Sequence, residues 1–517
     1  MDKLAIERCI ADLTEANFRC EEEFLRRFVA ALAAKRFVIL TGLSGSGKTK
    51  LAQTFANWIS LPHRSSGDVF SPGSVISSDR VNYYVRDSDR LSVELWNSED
   101  EDEGTLVSLP RELIRQWADF IANNDLPPGT SARIIRTGVE STLKYSKQLN
   151  SFESPLRAAA FALLAGGGSQ VAARCAEVIA VGADWTSNEH VLGYPDGLDR
   201  SRYIRTKTLD LILNAVASPA IPHFLILDEM NLSHVERYFA DLLSAIESGE
   251  PIHLHSDEST AGGDEVRSGV PSRLKLPANL FIIGTVNVDE TTYMFSPKVL
   301  DRANVLEFRV SDSSLSDFLV NPVGIVDSDI EGKGSLHAGG LMNLARSGHA
   351  LTADELSVVN DEVMLFFRAL QPTGAEFGYR AAKEMVAFIG CHKQLSGDGW
   401  SPCAALDAQI VQKILPKLHG SRNKLEPVLW SLAILCFNSR QTAADDSDGR
   451  KLELAGILQQ GTKAMEMGDD SLDPLEVTRN GEASYPLSAA HYPLSFDKIV
   501  RMMRAVRLNG FTSFAEG

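Results

Sequence analysis

The chain has 517 residues, too many for one hydrophobic core, so its length predicts two to four domains. Hydrophobic residues make up 44% and charged residues 23%, an ordinary balance for a globular protein, and no apolar run approaches the ~18 residues of a membrane span. The net charge of −17 excludes a surface that is basic throughout, so any contact with nucleic acid must be local or made by a partner. The six cysteines include no C-x-x-C pair, and the N-terminus lacks a signal-peptide core, so a cytoplasmic location is expected.

Residues 1–35 are predicted to be a short helical flank, because Leu25, Phe28 and Leu32 recur at helical spacing. The apolar run 37–40 then predicts a buried strand that ends in a glycine-rich turn, and residues 50–59 predict an amphipathic helix. The turn follows the pattern G-x-x-x-x-G-K-[ST], and its candidate nucleotide-binding residues are Gly42, Ser44, Gly45, Ser46, Gly47, Lys48 and Thr49.

This pattern is typical of a phosphate-binding loop. Glycines let backbone N–H groups surround an oxyanion, and the N-terminus of the following helix adds its positive dipole end. Lys48 would reach the β- and γ-phosphates, and the Thr49 hydroxyl would bind Mg²⁺. A chance glycine turn is the alternative, but it would not also supply the strand and the helix.

Residues 61–166 are predicted to be an inserted domain of strands and helices. Turn residues open it, the β-branched and aromatic run 81–85 predicts a strand, and three glycines at 166–168 close it. Its basic residues could face nucleic acid, or they could form a solvated positive face; they are Arg133, Arg136, Lys144 and Lys147.

A second buried strand, 224–227, ends in Asp228 and Glu229. Asp228 would hold the Mg²⁺ shell through water, and Glu229 would act as the general base on the attacking water. Two acids after a strand are weak evidence alone, because strands often end in acidic turns. Their position downstream of a phosphate loop makes the functional interpretation the stronger one.

A third strand, 280–286, ends at Asn287, which could position the same water or simply form a turn. Arg302 follows soon after. Its guanidinium could serve the γ-phosphate of a neighbouring subunit, or it could form a surface salt bridge with Asp301 or Glu307. From residue 311 onward the chain is predicted to be helix-rich.

Together these motifs resemble the core of an AAA+ ATPase, and more narrowly the McrB-type branch, the motor subunit of modification-dependent restriction systems. The resemblance covers about residues 36–60 and 170–430, and it rests on the phosphate loop, Leu-Asp-Glu-Met-Asn at 227–231, Gly-Thr-Val-Asn at 284–287 and Leu-Asp-Arg at 300–302. It implies Asp228 as the metal acid, Glu229 as the base, Asn287 as the first sensor and Arg302 as an arginine finger. Arg380, in Phe-Gly-Tyr-Arg, falls where such proteins keep a nucleotide-binding sensor of the lid.

The expected fold is therefore α/β: a P-loop core with a parallel sheet, an inserted α+β domain and a helical C-terminal lid. The expected domains are the flank 1–35, the core 36–60 and 167–310, the insert 61–166 as a candidate recognition module, and the lid with its extension 311–517.

Two departures from the McrB pattern bear on function. The GTP-using McrB proteins carry Asn-Thr-Ala-Asp at the first sensor, whereas residues 287–290 read Asn-Val-Asp-Glu, so ATP is favoured over GTP. Such proteins also have an N-terminal DNA-reading domain, whereas about 35 residues precede the core here. Recognition would then fall to the insert or to another subunit.

The expected protein is a nucleoside triphosphatase that assembles as a hexameric ring. It uses Mg²⁺ and couples hydrolysis to DNA translocation or to activation of an McrC-like nuclease in antiviral defence. Two alternatives remain. One is a MoxR-like ATPase that remodels proteins, and the other is an assembly switch gated by nucleotide.

Overall fold

The computed structural model describes residues 1–60, six strands between residues 75 and 146, and, apart from short gaps, residues 175–255, 266–320, 330–437 and 490–514. The predicted insert 61–166 is therefore described only in its strands, and the side chains of its basic residues lie outside the described part. The domain boundaries at residues 35, 60, 166 and 310 stay predictions.

The central element is a five-stranded parallel sheet, which confirms the α/β prediction for the core. In chain order its strands are β1 (Phe37–Gly42), β2 (Ala176–Ala180), β3 (His223–Asp228), β4 (Leu280–Asn287) and β5 (Asn304–Glu307). They lie side by side in the order β5-β1-β4-β3-β2. All residues of β1 and β4 are buried, as expected for parallel strands covered on both faces.

The register of the sheet brings three strand ends to one edge. Gly42 of β1 lies opposite Asn287 of β4, and Leu227 of β3 lies opposite Gly284 of β4. In the sheet, β1 lies between β5 and β4, which both come later in the sequence, so the strand order switches direction at β1. Ligands of open α/β sheets bind at such a switch point, outside the carboxyl ends of the strands.

Three helices surround β1 in the sequence: α1 (Lys3–Glu15), α2 (Glu22–Ala34) and α3 (Lys48–Ile59). The predicted helical flank thus consists of two helices. Asp2 caps α1 through the Ala5 N–H, and the buried Asp12 accepts a hydrogen bond of 2.9 Å from the indole of Trp58 in α3. The flank is consequently attached to the helix that follows the phosphate loop.

The remaining elements cover the sheet or pair in short ladders. Helices of eight or more residues in the described part run over Lys207–Ala217, Ala240–Ser248, Asp312–Val320, Ala338–Ser347, Ala353–Leu370, Tyr379–Ser396, Pro402–Gln409, Arg422–Phe437 and Pro493–Asn509. Shorter helical segments are Glu189–Leu192, Met230–Leu232, Val235–Tyr238, Pro297–Leu300, Gly397–Gly399, Ile410–Ile414 (a π-helix) and Leu415–Lys417. Two-residue strands pair as Tyr194–Pro195 with Tyr203–Ile204, Ile252–His253 with Arg273–Leu274, Val266–Arg267 with Val270–Pro271, and Gly420–Ser421 with Phe511–Thr512.

The strands described within the insert are antiparallel and separate from the central sheet. Four of them form one sheet, and two form a hairpin; their bounds are Val75–Ser78, Val81–Asp87, Arg90–Trp96 and Gly104–Pro110, then Ser131–Thr137 and Glu140–Ser146. The strand predicted at 81–85 is confirmed.

The C-terminal helix Pro493–Asn509 is joined to the central sheet by buried charges. Arg501 donates to both carboxylate oxygens of Glu307 at 2.8 and 2.7 Å, and Lys498 forms an ion pair with the same carboxylate at 3.2 Å. The start of this helix is capped by Asp407, whose carboxylate accepts the N–H groups of Leu494 and Ser495 at 2.8 Å each. None of the described helices has the length and apolar content that crossing a bilayer requires.

His223, the first residue of β3, predicts how stability depends on pH. Burial lowers the pKa of its imidazole to about 4 from the usual 6.5, against the opposing hydrogen bond to the Ile221 carbonyl. As the pH falls from 6.5 to 4, the unfolded chain binds a proton at His223 that the folded chain does not. The neutral His223 therefore favours the folded state fully above pH 6.5, and this free energy of folding is lost as the pH falls toward 4. The loss is up to about 3 kcal/mol.

We expect His223→Asn, which keeps an amide nitrogen near the position of Nδ1, to remove this part of the acid sensitivity. Melting temperatures measured between pH 4 and 7 should fall less steeply in the variant than in the parent chain. His253→Asn, at an exposed position, is the matched control and should leave the slope unchanged. Equal slopes for the His223 variant and the parent would contradict the assignment.

Candidate nucleotide site

The phosphate loop joins β1 to α3 and has the backbone that its glycines allow. A Cβ atom at Gly42 would lie 2.4 Å from the carbonyl oxygen of Phe308, so a side chain does not fit where β1 ends. Gly47 has φ of 99° and forms the N-cap of α3, a left-handed conformation that favours glycine. The predicted strand, turn and helix follow one another as the sequence indicates.

Lys48 is the buried charge of this loop, with only 4% of its surface exposed. Its ammonium donates to the carbonyl oxygens of Gly42 and Leu43 at 2.9 and 2.6 Å, and it lies 3.5 Å from Ser46 Oγ. The loop therefore curls around the ammonium. Ser44 and Gly45 lie on the exposed side of the same turn. A phosphate bound by this turn would face both the ammonium and the start of α3.

The acids at the end of β3 meet the start of α3. Asp228 Oδ1 accepts hydrogen bonds from the hydroxyls of Thr49 and of Thr285, the latter at 2.7 Å. The structure thus brings together two residues that are 179 positions apart in the sequence. Carboxylate and hydroxyl oxygens are the hard donors that Mg²⁺ prefers, so Thr49 and Asp228 fit the predicted metal ion.

Glu229 is held at both its backbone and its side chain. Its backbone adopts the left-handed conformation, φ 52° and ψ 50°, which costs a non-glycine residue about 1–3 kcal/mol. Thr285 Oγ1 accepts the Glu229 N–H at 3.1 Å, and Asn287 Nδ2 donates to Glu229 Oε1 at 3.0 Å. Both contacts come from β4, so the neighbouring strand fixes where the carboxylate of Glu229 points.

Thr285 is a site residue that the sequence analysis missed. Its single hydroxyl donates to Asp228 and accepts from Glu229, which connects the two acids. The available signal was the period of two in a strand: Thr285 and Asn287 lie on the same side of β4, so a role for one pointed to the other.

Arg302 and Arg380 lie away from the phosphate loop and its acids. Both form ion pairs with Glu247, near the end of the helix Ala240–Ser248. The structure therefore contains neither of the salt bridges proposed as alternatives for Arg302: Asp301 pairs with Lys417, and Glu307 pairs with Arg501 and Lys498. Glu247 was not identified from the sequence, which carries no local signal for it.

A cavity of about 810 Å³ contains these two arginines and opens at the amino ends of the strands, because Arg36 and Leu280 line it. The phosphate loop lies at the carboxyl ends. Strands of six to eight residues separate the two edges by roughly 20 Å, so the structure does not bring Arg302 or Arg380 together with Lys48.

The cavity is strongly basic. Seven lysine and arginine side chains line it against two glutamates. Burial, and next the nearby guanidinium of Arg380, lower the pKa of Arg302. Arg302 Nε is buried and has no hydrogen-bond partner among the residues that the structure describes. Guanidinium and ammonium groups in this arrangement are suited to binding an anion.

Comparisons with known proteins add little to this geometry. Residues 341–511 match a family model described as "Domain of unknown function (DUF8727)", which covers about a third of the chain. No curated protein matches the chain. Among solved structures, the chain is similar to one from Cytophaga hutchinsonii named a "putative ATPase", at 12% identity and a TM-score of 0.34, over 80% of this chain and 87% of that one. A likeness at this level decides neither fold nor function.

Proposed function

We propose that this chain is an AAA+ nucleoside triphosphatase that hydrolyses ATP. The observation that carries the proposal is the hydrogen-bonded set Thr49–Asp228–Thr285–Glu229–Asn287 beside the loop around Lys48. Phosphoryl transfer depends mainly on positioning and on neutralising charge, and this set supplies groups for both.

The roles follow from where the atoms lie. Lys48 and the backbone of the loop bind the β- and γ-phosphates, and Thr49 and Asp228 would hold Mg²⁺, which neutralises phosphate charge when bound. Glu229 accepts the proton of the water that attacks the γ-phosphorus, and Asn287 orients the Glu229 carboxylate. The bond from the γ-phosphorus to the bridging oxygen breaks, and ADP leaves with its electron pair.

Arg302 and Arg380 support an assembly. Because they lie at the edge of the sheet opposite the phosphate loop, they would act on a nucleotide held by a neighbouring subunit. Repeating a contact between opposite edges generates a closed ring when the rotation closes, and we propose a hexamer. In this assembly the phosphate displaces Glu247 as the anionic partner of both arginines.

The finer proposal rests on the sequence resemblance. We propose that the ring is the motor of an McrBC-like defence system, acting on DNA and on an McrC-like nuclease. Hydrolysis of ATP and of GTP, each measured with and without duplex DNA, tests it. We expect Mg²⁺-dependent ATP hydrolysis that DNA stimulates. If DNA leaves the rate of ATP hydrolysis unchanged but a protein partner raises it, the MoxR-like remodelling ATPase is favoured. If the protein hydrolyses neither nucleotide, the proposal is refuted.

Thr285 provides a test of the hydrogen-bonded set. We expect Thr285→Val to lower the turnover number by roughly 10- to 100-fold, because the Glu229 N–H loses its acceptor and Asp228 loses a donor. Nucleotide affinity, measured by equilibrium binding, should change little, since Lys48 and the loop remain. Thr285→Ser keeps the hydroxyl and should retain most of the activity. Equal losses in the valine and serine variants would show that the hydroxyl is not what matters.

A further inference from the structure

The backbone on both sides of Arg302 is held by buried lysines. Lys413 Nζ donates to the carbonyl oxygen of Ala303 at 2.8 Å and lies 3.4 Å from that of Asp301. Lys35 Nζ, at the end of α2, donates to the same Asp301 carbonyl at 3.1 Å. The two residues that flank Arg302 in the chain thus have their carbonyl oxygens fixed by side chains from distant parts of the chain.

One carboxylate pairs with both ammonium groups. Glu384 forms an ion pair with Lys413 at 2.6 Å through one oxygen and with Lys35 through the other. The side chain of Lys413 is 1% exposed, and burial lowers its pKa to about 8. Buried charges of this kind are costly compared with apolar packing, so their presence calls for a role other than stability.

Glu384 and Lys413 come from the helical region that matches the domain of unknown function. Glu384 lies on the helix Tyr379–Ser396, and Lys413 lies on the π-helix Ile410–Ile414. Local π-helices frequently occur at functional sites. Lys417, one turn further on, forms an ion pair of 2.5 Å with the carboxylate of Asp301. Two side chains of the matched region, Lys413 and Lys417, therefore contact residues 301–303, and Glu384 pairs with one of them.

We infer that Lys413 and Glu384 are positioning residues for Arg302, and that this part of the matched region sets the backbone from which Arg302 reaches a neighbouring subunit's nucleotide. The inference rests on the proposed function, because it requires Arg302 to act between subunits. A displacement of a catalytic group by about 1 Å can cost 10²-fold in rate, so a clamp on both flanking carbonyls matters for turnover.

The test is complementation between two inactive variants. Lys413→Met removes the ammonium at similar volume, and we expect rings made of it alone to lose at least tenfold in turnover while keeping their nucleotide affinity. Glu229→Gln rings keep an intact Arg302 but lack the base. In mixed rings, a Lys413→Met subunit has an intact nucleotide site and can receive Arg302 from a Glu229→Gln neighbour. An equal mixture should therefore recover roughly a quarter of the parental rate.

Two controls and one replacement variant separate the possible outcomes of this experiment. Arg302→Ala mixed with Glu229→Gln must recover activity in the same way, and failure there would refute the proposed function itself. If that pair recovers and the Lys413→Met pair does not, or if Lys413→Met alone is fully active, only the positioning role is refuted. Lys393→Met breaks another lysine–glutamate pair of the same region, with Glu355, and should leave turnover unchanged. If Lys413→Met does not fold, Glu384→Gln replaces it in the same mixture and has to meet the same criteria.

Discussion

Glu229→Gln should lower the rate of ATP hydrolysis by about 10² to 10⁴-fold and leave ATP binding intact. Glutamine keeps the shape of the side chain and can still accept the hydrogen bond from Asn287, but its amide cannot take the proton of the attacking water. The backbone N–H of Glu229 stays on Thr285, so the strained left-handed conformation should persist. Steady-state hydrolysis and equilibrium ATP binding, measured on the same preparation, give the two quantities.

The matched control for this change is Glu250→Gln, which removes an exposed carboxylate outside the site. It should hydrolyse ATP at the parental rate. A Glu229→Gln protein that turns over as fast as the parent would refute the role of Glu229 as base. A variant that traps nucleotide yet retains full biological activity would instead favour an assembly switch over a motor.

Lys48→Ala should weaken ATP binding by roughly 30- to 5,000-fold, because removing one partner of a buried charge–phosphate contact costs about 2–5 kcal/mol. The loss has a local cause. Lys48 is the buried cation of the loop, and its ammonium binds the carbonyl oxygens of Gly42 and Leu43. Without the ammonium, these partial negative charges near the phosphates are no longer neutralised. Titration of ATP in the presence of Mg²⁺ measures the dissociation constant.

Lys50→Ala is the matched control, since it makes the same change two residues later in the same helix. We expect ATP affinity close to that of the parent for this variant. Unchanged affinity in Lys48→Ala would place the triphosphate elsewhere and remove the basis for the assignment of Asp228 and Glu229. A Lys48→Ala protein that has also lost its melting transition would report misfolding, and binding would then be compared with Lys48→Arg.

The sequence predicted that the glycine-rich loop, Asp228, Glu229 and Asn287 follow strand ends, and the structure places them at one edge of the sheet, because each position depends on local signals. A glycine pattern identifies the loop, and an apolar run that stops at Asp228 or Asn287 identifies a strand end. Parallel strands bring their carboxyl ends to one edge, so the meeting of these residues follows from their positions on the strands.

The partners of Arg302 could not be predicted in this way. Glu247, Glu384 and Lys413 contact or support the arginine segment from 55 to 111 positions away from Arg302, and no local pattern links them to it. Such contacts depend on how helices pack on the sheet, which periodicity does not specify. Arg380 shows the same limit: its motif predicted a nucleotide sensor, and the structure pairs it with Glu247 beside Arg302.

The link between Glu307 and Arg501 has a consequence for how the protein is made. Phe308 follows Glu307 in the chain, donates its N–H to the carbonyl oxygen of Thr41 at 2.7 Å, and places its own carbonyl against Gly42. The phosphate loop therefore adjoins the carboxylate of Glu307, whose partners come from the helix Pro493–Asn509. At ordinary translation rates the ribosome needs about 10 to 40 s to proceed from Glu307 to Arg501, 194 positions later. Throughout this interval the nascent chain carries the loop beside an acid that still lacks its counter-charges, and the neighbourhood of the nucleotide acquires its final contacts only after the helix Pro493–Asn509 has been made.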